Sequence, residues 1–215
     1  MKFKAVLFDL DGTLVNSLID IADSMNKVLE KRKLPTHSYE VINGFIGSGL
    51  RNLVTKALPE TAKSEENIES CFNEMIAEYR ENCTNKTSAY DGITALLDEL
   101  QSRNIKLAVL SNKADELTKK ISHALFPNYF EIANGLKSEA SKKPHPSGAI
   151  EIAKDLGFSP EEILYVGDSG IDMQTAKNAN MYAVGVLWGF RPKEELLAEG
   201  AQSIINHPLE LIELL

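Results

Sequence analysis

Lys4-Ala5-Val6-Leu7-Phe8-Asp9-Leu10-Asp11-Gly12-Thr13-Leu14 is the stretch on which the fold turns. Residues 4 to 8 form a short β-prone run that stops at an acid, the pattern of a buried central strand. Helical periodicity then takes over. Leu18, Ile21, Ala22, Met25, Val28 and Leu29 share one face, with Ser17 and Asp20 offering a cap near its start. Lys31, Arg32 and Lys33 close that helix as a solvated end, where cations complement the C-terminal dipole. To about residue 86 every recognisable segment is helical. One carries Leu50, Leu53, Val54, Ala57 and Leu58; another carries Ile68, Cys71, Phe72, Met75 and Tyr79 behind Ser64-Glu65-Glu66.

After Asp91-Gly92 the rhythm alternates. A helix with Ile93, Leu96, Leu97 and Leu100 precedes a strand over Lys106–Leu110, and a further helix leads to a strand near Ile132. The helix with Ile150, Ala153 and Leu156 stops at Gly157, a good left-handed terminator. Strands over Ile163–Val166, Tyr182–Val186 and Ser203–Ile205 complete the series. This alternation predicts an α/β protein: a doubly wound, Rossmann-like parallel sheet with ligand sites at the C-terminal strand edges. The expected core is residues 1–15 and 87–215, with a small all-helical domain at 16–86.

The 215 residues carry 23 Lys and Arg against 31 Asp and Glu, a formal charge of −8. That balance argues against a general nucleic-acid binder, whose affinity rests on neutralising phosphates. An acidic enzyme can bind an anion only through a local cluster of donors or a metal. Cys71 and Cys83 are not spaced as a metal or redox motif. No stretch reads as a signal peptide, and the longest nearly apolar run, Tyr182 to Phe190, is far short of a membrane span. A soluble cytoplasmic protein is the expectation.

The polar residues at the strand ends carry the chemistry. The first strand ends at Asp9 and Asp11, the strand through Leu110 at Ser111-Asn112, and the strand through Val166 at Gly167-Asp168-Ser169, with Asp172 one helical turn on. Lys143 stands at the start of a helix. One sheet edge thus receives carboxylates, a hydroxyl and an ammonium, a set suited to phosphoryl transfer. A carboxylate can attack phosphorus and split the reaction into two displacements. Crowded acids call for a divalent cation, and hard oxygen ligands suit Mg²⁺. Lys143 and the Ser111 hydroxyl would neutralise and orient phosphoryl oxygens, while Asp11 would protonate the leaving oxygen and later deprotonate water. Gly12 permits the sharp exit from the strand, and Thr13 adds a hydroxyl nearby.

Asp9-Leu10-Asp11-Gly12-Thr13-Leu14, Ser111, Lys143-Pro144 and Gly167-Asp168-Ser169 with Asp172 resemble the four ordered motifs of the haloacid dehalogenase superfamily, in its phosphatase branch. The resemblance covers essentially the whole chain, including a helical cap inserted after the first motif. It implies an aspartyl-phosphate on Asp9, acid/base work by Asp11, and Mg²⁺ held by Asp9, the Asp11 carbonyl and Asp168, with Asp172 as a close or water-mediated partner. The substrate implied is a small phosphorylated molecule. An acid at Asp11 is absent from the dehalogenases of this fold. One departure is Asn16, where many relatives carry Asp.

Within the insert, Gly47-Ser48-Gly49 resembles the Gly-x-Gly loop of phosphoglycolate phosphatase-like caps, which reads the leaving group. Arg51 has two readings, contact with a substrate anion or a solvated helix cation. Asn112 is placed with the substrate-binding residues. Asp172 also has a second reading, as ordinary first-turn helix chemistry. Trp188 and Phe190 are read as packing against the sheet edge, and His145 as a surface or capping residue. A pyrophosphatase, a β-phosphoglucomutase-like enzyme and a non-catalytic binding protein remain open alternatives, as does the choice between monomer and homodimer.

Overall fold

The computed structural model describes residues 2–215, and the chain divides into two compact units. One comprises the chain up to Asn16 and from Ala89 to Leu215; the other is Ser17–Ser88. Strand β1 (Ala5–Phe8) and the two-residue strand β2 (Val15–Asn16) come first.

The second unit is helical: α1 (Leu18–Lys31), α2 (Tyr39–Asn43), α3 (Leu50–Ala57) and α4 (Glu65–Asn82). Met25, Val28 and Leu29 of α1, Ile42 of α2, Leu53, Val54 and Ala57 of α3, and Ile68, Cys71, Met75 and Tyr79 of α4 are among its buried apolar residues, so each helix turns an apolar stripe inward. The basic end of α1 is not merely solvated. Lys31 pairs with Glu78, and Arg32 with Glu74 and Ser70, all on α4. The cap expected from Ser17 and Asp20 does not form, because Ser17 makes no side-chain cap bond. Asp20 is instead buried and accepts from the backbone N–H groups of Lys86 and Thr87 and from the Thr87 hydroxyl at 2.7–3.0 Å. Three donors fixed by the chain outbid a helix terminus that water can reach.

After β3 (Ser88–Ala89) the chain alternates: α5 (Ile93–Ser102), β4 (Lys106–Ala114), α6 (Asp115–Leu125), β5 (Ile132–Leu136), α7 (Ser147–Leu156), β6 (Ile163–Gly167), α8 (Gly170–Asn178), β7 (Tyr182–Val186), α9 (Lys193–Ala198) and β8 (Ser203–Ile205). Six strands form one sheet in the order β5-β4-β1-β6-β7-β8, with every pairing parallel. It is the doubly wound α/β sheet that the alternation predicts. The chain steps from β1 to one side and later returns to the other, so β1 lies between β4 and β6 at the switch point, where a crevice opens at the carboxyl ends.

β1 and β6 are buried along their whole length, as strands covered on both faces must be. Ala5, Leu7, Ala108, Ile163, Tyr165 and Ala183 face α7 and α8 through Ala149, Ile152, Met173 and Ala176. The same alternation carries Asp9 toward the side from which Lys143 and Asp172 arrive. β4 outruns its expected end at Leu110, continuing to Ala114 with a register shift against β5. Among the described residues no helix is long and apolar enough to cross a membrane.

Candidate active site

The chain leaves β1 through a tight loop. Leu14 N and Val15 N donate to Leu10 O, and Gly12 N donates to Val15 O at 2.9 Å. Gly12 sits at φ +89°, and a Cβ there would lie 2.3 Å from an oxygen of Asp168, so this turn admits no side chain. The loop closes over Asp168 and delivers Asp9 and Asp11 to the sheet edge.

Asp9 is 8% exposed and its backbone N–H donates to Val166 O on β6. The Lys143 ammonium lies 2.8 Å from Asp9 Oδ1, an ion pair that leaves this oxygen without an aligned hydrogen bond. Lys143 also donates to Asp172 Oδ1 at 2.7 Å and to Leu110 O at 3.2 Å. Its backbone is clasped by Asn112, whose Oδ1 accepts from Lys143 N at 2.8 Å while its Nδ2 donates to Lys143 O at 3.2 Å. The Asn112 side chain is therefore engaged in placing the lysine, where a contact with substrate was expected. Ser111 is buried beside it, its Oγ accepting from Lys113 N.

Asp172 is fully buried and both its oxygens are engaged. Oδ1 accepts from Lys143, and Oδ2 from Ser169 N and Ser169 Oγ, a capping box at the start of α8. Its helix-terminal role and its bond to Lys143 thus coexist. Asp168, 2% exposed, accepts from Thr13 Oγ1 at 3.3 Å and from Phe190 N at 2.8 Å. The Thr13 hydroxyl is spent on this acid. Trp188 Nε1 donates to Thr13 O at 2.9 Å, so the Trp188–Phe190 segment braces both the first loop and Asp168 rather than only packing on the sheet.

Carboxylate oxygens of Asp9, Asp168 and Asp172 lie within 4.8 Å of one another, all buried. Burial, reinforced by Asp172, pushes Asp9 up to about 7 against the opposing pull of Lys143. Burial, then Asp172 and Asp9, also raises Asp168. Lys143 is held well above its ordinary value: burial lowers it, and Asp172 with Asp9 outweigh that. Around this edge four carboxylates (Asp9, Asp11, Asp168, Asp172) face two ammonium groups (Lys113, Lys143), which leaves two negative charges if all are ionised. A divalent cation with hard oxygen ligands fits that balance and donor set.

Lys113 was not anticipated. It is buried on β4, and its ammonium donates to Asp11 Oδ1 at 2.6 Å and Oδ2 at 2.7 Å. A charged residue two places beyond Ser111, continuing a buried strand, is the signal that would have found it. Gly47 and Arg51 belong to the helical unit. Gly47 takes a positive φ of 113° just before α3, and Arg51 pairs with Glu65 and Glu69 of α4. An anion at Arg51 would have to displace both carboxylates. His145 is exposed and accepts from Ser147 N at the start of α7.

A family profile described as haloacid dehalogenase-like hydrolase matches residues 6–186. A protein of Aquifex aeolicus named phosphoglycolate phosphatase is 34% identical over 214 residues, spanning 99% of this chain and 96% of that one. One from Chromobacterium violaceum with the same name is 31% identical, with the same coverage. The crystal structure of a predicted phosphoglycolate phosphatase from Haemophilus somnus superposes with a TM-score of 0.92 at 29% identity, covering 100% of this chain and 98% of that one.

Proposed function

Because this chain belongs to the haloacid dehalogenase-like hydrolase family, we propose that it is a Mg²⁺-dependent phosphatase of small phosphorylated metabolites, with phosphoglycolate the first candidate. The observation that carries this reading is the division of labour on one loop. Asp9 is buried against Lys143 and Asp172, whereas Asp11, two residues on, is held separately by Lys113. That separation supports a reading in which Asp9 attacks phosphorus and Asp11 handles protons. The names of the full-length relatives support the substrate class.

In the first displacement an Asp9 carboxylate oxygen bonds to phosphorus, and the bond from phosphorus to the leaving oxygen breaks. The electron pair stays on that oxygen, which takes a proton from Asp11. In the second, water gives a proton back to Asp11 and attacks phosphorus, the acyl-phosphate bond to Asp9 breaks, and inorganic phosphate leaves. The Lys143 ammonium and the Ser111 hydroxyl serve the phosphoryl oxygens as charge redistributes. Asp9, Asp168 and the Asp11 carbonyl would hold Mg²⁺, which when bound supplies positive charge to the phosphoryl group. Asp172 holds Lys143 from behind. This reading reserves Gly47 and Arg51, on the helical unit, for substrate selection.

Phosphate release measured side by side from phosphoglycolate, pyrophosphate and hexose phosphates tests this reading. Mg²⁺-dependent turnover of phosphoglycolate well above the others is expected, and it should vanish in Asp9→Asn. Wild-type activity in Asp9→Asn would overturn the mechanism. Glucose 6-phosphate formed from β-glucose 1-phosphate would mean a mutase.

A further inference from the structure

We propose that Lys113 is the positioning residue of the acid/base carboxylate, a role that rests on the phosphatase reading above. Lys113 lies two residues beyond Ser111, in the part of β4 that follows Leu110 and carries the register shift against β5. Its side chain is 2% exposed, so the ammonium has left water and needs charged or polar partners. It finds them in both oxygens of Asp11, at 2.6 and 2.7 Å, while the Asp11 side chain keeps 13% of its surface exposed. Two contacts from one ammonium fix the plane of the carboxylate as well as its position.

Asp11 stands on the loop that follows β1, beyond the regular hydrogen bonding of that strand. Lys113 stands on a strand that pairs directly with β1. The ion pair therefore ties the Asp11 carboxylate, which stands on a loop, to a strand of the sheet. Proton transfer to a leaving oxygen depends on such placement, and a misplacement of about 1 Å can cost about 100-fold in rate. Lys143 performs a different task. It touches Asp9 and Asp172 and would contact the phosphoryl group, whereas Lys113 acts through Asp11.

The test compares two esters of the same shape, p-nitrophenyl phosphate and phenyl phosphate, in wild type, Lys113→Met and Lys113→Arg. The p-nitrophenolate leaves readily without a proton, whereas the more basic phenolate needs the acid. The ratio of their kcat/KM values reads the step through leaving-group departure, and it is independent of the fraction of each preparation that folds. In Lys113→Met this ratio should rise about tenfold or more in favour of the nitrophenyl ester, because proton donation is worth about 100-fold or more for the poorer leaving group. Lys113→Arg, which can span both oxygens, should stay within about threefold of wild type. A ratio unchanged in Lys113→Met would overturn the assignment while leaving the phosphatase reading intact. Absence of turnover of both esters by the wild-type enzyme would overturn both.

Discussion

The molecule buries aspartates in two places and treats them in opposite ways. In the helical unit Asp20 is wrapped by two backbone N–H groups and a hydroxyl, all supplied by Lys86 and Thr87 at distances of 2.7–3.0 Å. In the sheet unit Asp9 keeps an oxygen without an aligned hydrogen bond, and its carboxylate lies beside those of Asp168 and Asp172. A buried acid surrounded by fixed neutral donors has its charge dispersed and needs nothing further. A buried acid crowded by others is short of positive charge, and its protons or a cation must make up the difference. The first arrangement is satisfied by the chain alone; the second is where the proposed function puts the cation.

The largest effect that would sharpen this contrast is on turnover. On the proposed mechanism Asp9→Asn removes the attacking group itself and should reduce kcat by about 10⁴-fold or more. Its metal-free thermal stability at pH 8 should not fall, because the change removes one charge from a crowded buried cluster. Marked unfolding of Asp9→Asn would place Asp9 with Asp20 among structural acids. Asp20→Ala is the converse. It strands buried donors and should cost about 2–4 kcal/mol in denaturant unfolding, while kcat changes by no more than about twofold.

Much of the sheet unit was legible because parallel strands write their burial as continuous apolar runs, and each run ended at a polar residue that the fold then gathers. Val6-Leu7-Phe8 before Asp9 and Leu164-Tyr165-Val166 before Asp168 are adjacent buried strands. What could not be read is which side chain each polar group meets. Asn112 looked like a substrate ligand because its neighbour Ser111 did, yet its amide is engaged by the Lys143 backbone, a partner 31 residues away. Lys113 lies past the expected strand end at Leu110, whereas β4 runs on to Ala114 and buries it. Asp20 looked like a helix cap because spacing alone cannot show that Lys86 and Thr87 arrive beside it. The Trp188 indole was read by its apolar area, while its N–H holds Thr13.

A pH experiment would break or sharpen the comparison at the next level. Asp9 ionises near 7 in the folded metal-free protein against 3.8 in an unperturbed chain. Between those values the folded state holds a proton that the unfolded state has released, so stability falls as pH rises through that window. Above about 7 this contribution no longer changes. Mg²⁺ binding needs that proton gone, so affinity should rise from pH 5.5 to 8, with proton release detectable at pH 6 from titrations in buffers of different ionisation heat. Affinity independent of pH would show that Asp9 is already ionised across that range.

The smallest effect concerns the brace. Trp188→Phe keeps the ring but removes its bond to Thr13 O, and should cost about 1 kcal/mol of stability with a fewfold loss of activity. A loss of activity as large as that of Asp9→Asn would mean that the indole has a role beyond holding the loop.

The contrast rests on whether the sheet-edge acids take up a divalent cation. Calorimetric titration of Mg²⁺ into metal-free protein at pH 8 addresses this in three proteins: wild type, Asp20→Asn and Asp168→Asn. One binding site is predicted in the wild type, the same site in Asp20→Asn, and none in Asp168→Asn. No binding to the wild type, or a site that survives unchanged in Asp168→Asn, would contradict the account.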